Sequence, residues 1–191
     1  GKSTILQMLK EELVRDGVPV ENIIEKRYTD MDIPENITAK QMYDELIEAI
    51  GDKKHCYLLL DEIQEVPDWE KAVNNLLECG KADIYIMGSN SKLMSSEIST
   101  YLTGRYIQIP VFTLSFREYM DFKKESRKSK TELLEEYIRF GGFPIIALGE
   151  YEPQQAYQIV NGIYYTVVSR DIVKRHRINK QDLFDRVVKY I

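Results

Sequence analysis

At 191 residues, with 43% apolar, 30% charged and 10% aromatic side chains, the chain has the composition of a folded globular protein, not of a disordered or collagen-like one. A chain of this length buries roughly 70% of its unfolded surface, so one domain, or one and part of a second, needs no disulfide or structural metal. Its 26 Lys+Arg against 31 Asp+Glu sum to -5, which excludes a global field that draws the molecule onto nucleic acid or anionic lipid.

Ile5, Leu6, Leu9 and Leu13 recur at helical spacing with Lys10, Glu11, Glu12 and Arg15 opposite, and predict an amphipathic helix from Lys2 to Arg15 stopped by Gly17. Ile23 to Tyr28 reads as a short strand, and Met42, Leu46, Ile47 and Ile50 mark a second helix that ends at Gly51. The run Cys56 to Leu60, placed before two acids, has the form of a buried parallel strand. Trp69 to Cys79 predicts a helix, Ile84 to Met87 a buried strand broken at Gly88, Lys92 to Leu102 another helix, and Tyr106 to Pro110 the last strand. This alternation predicts an α/β fold, a parallel sheet covered on both faces.

The rest reads as helical. Ser115 caps a helix containing Phe116, Tyr119, Met120 and Phe122, and Lys123 to Lys130 is a charged linker. Helices follow near Thr131 to Phe140, Gln154 to Val168 and Gln181 to Tyr190, with a loop Gly141-Gly142-Phe143-Pro144 between the first two. Residues 151–191 carry 7 basic and 4 acidic side chains, so any nucleic-acid surface falls in this tail, around Arg170, Lys174, Arg175, His176 and Arg177. Interleaved Asp171 favours a solvated helix face over that reading. No apolar stretch approaches the roughly 18 residues of a membrane span, no signal-peptide pattern occurs, and Cys56, Cys79, His55 and His176 lack zinc-ligand spacing. A reducing cytoplasm is the expected location.

Gly1-Lys2-Ser3-Thr4, at the start of a helix, matches the last half of a phosphate-binding loop, GxxxxGK[ST]. That chemistry requires a Gly where backbone nears phosphate, a Lys that reaches the terminal oxygens, and a hydroxyl on magnesium, all at a positive helix end. Four residues are a short motif, and a Lys and Ser in an ordinary first helical turn is the competing reading. Tyr57-Leu58-Leu59-Leu60-Asp61-Glu62 is an apolar strand tipped by two acids, the form of a Walker B segment. Such a strand sets Asp61 at the carboxyl edge of the sheet for the magnesium ion and makes Glu62 a candidate base for the attacking water. A strand running out into a solvated acidic turn is the alternative.

Gly88-Ser89-Asn90 follows the next strand, where Asn90, with Ser89 second, can bond the γ-phosphate or the water, or else cap the following helix. Arg105, after Gly104, is either an arginine finger for a neighbouring subunit's site or a surface charge beyond a helix stop.

Jointly these motifs resemble the AAA-type branch of P-loop ATPases. Asp61 to Trp69, Gly88 to Ser91, Pro110 with Leu114 to Glu118, and Phe140 to Pro144 are similar to a bacterial and archaeal family of AAA-type ATP-binding proteins, in which the ATPase module precedes winged-helix and nuclease-like segments. The resemblance implies a three-layer αβα P-loop NTPase fold whose first, central strand is missing from this chain, followed by a helical C-terminal segment. It divides the chain into an ATPase core at 1–124 and, at 125–191, a helical lid with the start of a winged-helix-like segment. It also implies ATP and Mg2+, with Gly1, Lys2, Ser3 and Thr4 on phosphate and metal, Asp61 on metal, Glu62 on water, Asn90 as sensor and Arg105 as finger. In the implied strand order the missing strand lies between Tyr106–Ile109 and Asp83–Met87, so two edges are expected to be unpaired.

The expected function is a nucleotide-driven switch, hydrolysing ATP and acting on its own C-terminal domain, with a homo-oligomer as the expected active form. With the upstream half of the phosphate loop missing, these 191 residues alone are expected to bind ATP weakly. The alternative is a nucleotide-independent interaction or DNA-binding module on a degenerate scaffold; intact Lys2, Ser3, Asp61 and Glu62 favour the ATPase. Asn90-Ser91-Lys92-Leu93 lacks the acid of a guanine-reading NKxD.

Overall fold

A computed structural model describes residues 2–88, 102–167 and 186, Lys2 by its backbone only. Gly1, the Ser89–Asn90 pair, the Lys92–Leu102 helix up to Tyr101, the basic run from Arg170 and the helix expected at Gln181 to Tyr190 lie outside the described residues, apart from Arg186. The chain divides into two compact units, residues 1–109 and 110–191.

In the first unit, α1 (Lys2–Arg15), β1 (Ile23–Arg27), α2 (Ala39–Ile50), β2 (Cys56–Asp61), α3 (Trp69–Cys79) and β3 (Ala82–Met87) alternate. The strands form one parallel sheet in the order β1-β2-β3. Period-two alternation divides β2 between two cores. Leu58 and Leu60 join Met42, Leu46 and Ile50 of α2 and Trp69, Val73 and Leu76 of α3. Leu59 joins Leu6 and Ile23 on the α1 side, with Tyr57 and Met87 at the margin. Helices therefore cover both faces of the sheet, as the sequence pattern predicts, and a continuous apolar strand is the stable choice for its middle. Each fully buried leucine there contributes about 2 kcal/mol over an exposed one. Trp69 is core, not a stacking platform.

The N-terminus of α2 is fixed by Thr38, whose hydroxyl accepts from the Gln41 N–H in a reciprocal capping box. Lys10 of α1 pairs with Glu25 of β1 at 2.8 Å. Residues 16–22 link α1 to β1, and Leu6, Leu9 and Leu13 of α1 pack on the face of the sheet that carries Leu59.

The expected strand at Tyr106 to Pro110 is a correction. These residues form no strand, and Ile107 and Ile109 are 90% and 78% exposed. A strand requires a neighbour to complete its ladder, whatever its side-chain propensity; among the described residues, β3 pairs with β2 alone.

The second unit contains α4 (Phe116–Phe122), α5 (Lys130–Phe140), α6 (Pro144–Leu148) and α7 (Pro153–Val167). Tyr119, Leu133, Phe140, Ile146, Ala147 and Ala156 form its core. Ser115 and Ser129 start α4 and α5 with capping boxes to Glu118 and Glu132. The hydrogen bonds from the Ser115 hydroxyl and backbone hold the Glu118 carboxyl below its ordinary range, and those from the Ser129 backbone and hydroxyl do the same for Glu132. Part of the expected Gly141–Pro144 loop is the start of α6, with Pro144 in its first turn, where its missing N–H costs nothing. Gly142 lies against the backbone of Leu114: Leu114 N–H donates to Gly142 O at 2.7 Å, and a Cβ on Gly142 would stand 2.0 Å from Leu114 O.

Candidate functional site

The carboxyl edge of the sheet brings Arg27 and Asp61, the ends of paired strands, together with Glu62. In parallel register Arg27, the last residue of β1, faces Asp61, the last residue of β2. Asp61 has a side chain only 7% exposed. Its Oδ1 accepts the Glu62 N–H at 3.0 Å, and Arg27 Nε stands 3.4 Å from its Oδ2. Tyr28 continues β1 by donating its N–H to Asp61 O at 3.0 Å. Burial, then the negative charge of Glu45, pushes the Tyr28 phenol far above its ordinary pKa.

After Asp61 the chain leaves the strand abruptly. Glu62 adopts a left-handed conformation, φ 52 and ψ 36, before a 3-10 turn over Ile63–Glu65. Such a conformation costs a non-glycine residue about 1 kcal/mol or more and occurs preferentially at functional sites. Ile63 is fully buried in the α2–α3 core, which anchors the turn. Gln64 Nε2 donates to a Glu62 carboxylate oxygen, while Gln64 Oε1 is buried without a hydrogen-bond partner.

The other expected site residues are distributed as follows. Ser3 and Thr4 lie in the exposed first turn of α1, and Lys2 is its first residue. Arg105 is held beside α3: Nη1 donates to Asn74 Oδ1 at 2.9 Å and stands 3.7 Å from Glu78 Oε1. Gly1 and Asn90 lie outside the described residues. Arg27 was not among the expected residues. Its signal is a basic residue ending the strand before the acid-tipped one, and that becomes meaningful only once the parallel register is known.

Among the described residues no three His, Cys, Asp or Glu side chains gather into a metal cage. A single buried carboxylate at a strand tip fits magnesium, which takes one or two protein carboxylates and completes its shell with water and substrate phosphate. Among the same residues, no helix is long and apolar enough to cross a membrane.

The family model for the AAA domain matches residues 1–120. An uncharacterized protein of Haemophilus influenzae is 32% identical over 195 residues, covering all of this chain and 48% of its own length. An uncharacterized Methanocaldococcus jannaschii protein is 38% identical over 155 residues, 75% of this chain and 34% of its own length. This chain thus spans half or less of these relatives. Among solved structures, a DNA polymerase III gamma subunit-related protein of Thermotoga maritima superposes with a TM-score of 0.40 at 14% identity, over 88% of this chain and 55% of that one.

Proposed function

The chain belongs to the AAA domain family, and from that premise we propose that it is the ATP-binding and ATP-hydrolysing module of a cytoplasmic protein, a nucleotide-driven switch for a C-terminal partner domain. The observation that carries this reading is Asp61 followed by Glu62 at the carboxyl end of β2, the strand paired on both sides, with Asp61 buried. Ligands of open α/β sheets bind at that edge.

In this reading Gly1 lets the backbone approach phosphate and Lys2 neutralises the terminal phosphate oxygens at the positive end of α1. The Ser3 hydroxyl, with Thr4 beside it, and the Asp61 carboxylate would hold Mg2+, and that ion would offset negative charge on the phosphate. Glu62 takes a proton from the attacking water as its oxygen bonds to the γ-phosphorus and the bond to ADP breaks. Gln64, through its hydrogen bond, orients the Glu62 carboxylate. Asn90 senses the γ-phosphate, and Arg105 reaches a neighbouring subunit's nucleotide in an oligomer.

We divide the chain functionally into an ATPase core at 1–124 and, from 125, a helical lid leading to a winged-helix-like segment, with nuclease-like residues beyond. The lid passes the nucleotide state on. Magnesium-dependent ATP turnover by the intact protein tests the reading; a Glu62→Gln variant that hydrolyses ATP at the wild-type rate would remove Glu62 from it.

A further inference from the structure

Both oxygens of Asp61 have a partner within the chain. Oδ1 accepts the Glu62 N–H, and Oδ2 faces the Arg27 guanidinium across two paired strand ends. The two sides of this pair are unequally held: the carboxylate is 7% exposed and the Arg27 side chain 49%. Asp61 is fixed by the middle strand, whereas Arg27 is a planar cation on a long, half-solvated stem. A carboxylate this buried is costly without a cation, and among the ion pairs of the described residues Arg27 is the cation it has.

We propose that Arg27 is the resident counter-cation of Asp61, competing with a divalent metal for that carboxylate and passing to a nucleotide phosphate when the site loads. The proposal rests on the ATPase reading for its second half only. Metal arriving alone must displace a guanidinium that gains no new anion. Metal arriving with a triphosphate gives Arg27 an anion whose oxygens its planar guanidinium can bind bidentately. Metal and nucleotide are then coupled beyond their direct contact, since each favours the arrangement with Arg27 off Asp61. Arg27 here is a positioning residue toward the metal and a binding residue toward phosphate.

The test of the first half uses Mn2+ alone, titrated into the intact, nucleotide-free protein and read by electron paramagnetic resonance. Arg27→Met is expected to bind Mn2+ about tenfold tighter than wild type, Arg27→Lys close to wild type, and Asp61→Asn to lose the site. A merely structural role would not tighten metal binding. Equal affinity in wild type and Arg27→Met, or a gain that persists in the Arg27→Met/Asp61→Asn double variant, overturns the proposal. Arg27→Gln is read in the same way should the methionine variant not fold. For the second half, calorimetry with ATP in EDTA should show about tenfold weaker binding by Arg27→Met, and unchanged affinity overturns it. Absence of ATP binding by the wild type would instead defeat the ATPase reading and leave the Mn2+ result standing on its own.

Discussion

Gln64 reaches back two residues to donate a hydrogen bond to the Glu62 carboxylate, across a backbone that turns left-handed at Glu62 itself. The left-handed residue follows directly on Asp61, the last residue of β2, so the candidate metal ligand and the candidate base are adjacent in sequence but only the first belongs to the strand.

That relationship ranks two variants. Glu62→Gln should lower ATP turnover by about a hundredfold or more while ATP still binds, because it removes a general base and leaves Lys2 and Asp61 in place. Gln64→Ala should lower turnover less, since Glu62 keeps its chemistry and loses only an orienting bond. Single-turnover kinetics with a parallel binding titration checks both, and a larger effect at Gln64 than at Glu62 would reverse the assigned roles.

Lys2→Ala should lose ATP affinity, whereas Ser3→Ala should chiefly raise the magnesium concentration needed for turnover. In the proposed site the first removes the cation facing the phosphate, the second one oxygen of the metal shell. Titrating ATP at fixed magnesium, and magnesium at fixed ATP, separates them.

Much of this was legible in the sequence where a local signal and burial agree. Leu58 to Leu60 before Asp61 announce a middle strand, and all three leucines are fully buried on it. Gly51 and Ser115 mark helix ends because their capping chemistry is local. Tyr106 to Pro110 was not legible: apolar β-formers state a propensity, but only a neighbouring strand makes a ladder. Pro144 misled in the other direction, since proline punctuates loops and also opens helices. The Arg27–Asp61 pair spans 34 positions and exists only through parallel register, so no local pattern contains it.

Gly142 and Gly162 should respond oppositely to alanine. At Gly142 the new Cβ would meet the Leu114 carbonyl oxygen at 2.0 Å, a backbone atom that Tyr137 Oη also holds by a 2.9 Å hydrogen bond. Gly142→Ala should therefore destabilise the second unit by about 1–3 kcal/mol. At Gly162, within α7, nothing lies within 4 Å, and Gly162→Ala should stabilise by about 0.5–1 kcal/mol through helix propensity. Denaturant midpoints decide between these signs.

Tyr119 gives the second unit an alkaline sensitivity. Burial, then the charge and hydrogen bond of Glu136, pushes its phenol up to about 12, above the ordinary value near 10. A folded pKa above the unfolded one means that this contribution is fully present below pH ~10 and lost as pH rises toward ~12. Stability of the second unit should fall across that window, and Tyr119→Phe should flatten the fall; phenolate absorbance followed with circular dichroism gives both. An unchanged slope in the phenylalanine variant would assign the loss to other groups.

Arg105 is expected to act in trans, although the chain itself offers it partners. Asn74 Oδ1 accepts from Nη1 at 2.9 Å in an exposed hydrogen bond and exposed Glu78 stands at 3.7 Å, both on α3, and exposed pairs of this kind are worth about 1 kcal/mol or less. So weak a tether leaves the guanidinium available to a neighbouring subunit, where offsetting charge on the transferring phosphoryl group is worth on the order of a thousandfold in rate. Mixing separates the two roles. Arg105→Ala and Lys2→Ala proteins, each inactive alone, should regain part of the activity together, because one subunit lends the finger and the other the nucleotide site. Asn74→Ala should leave turnover intact if the α3 contact is only a resting place. Undiminished hydrolysis by Arg105→Ala, or a wild-type rate per subunit that stays constant on dilution to a proven monomer, would return Arg105 to being the link between the segment after Gly104 and α3.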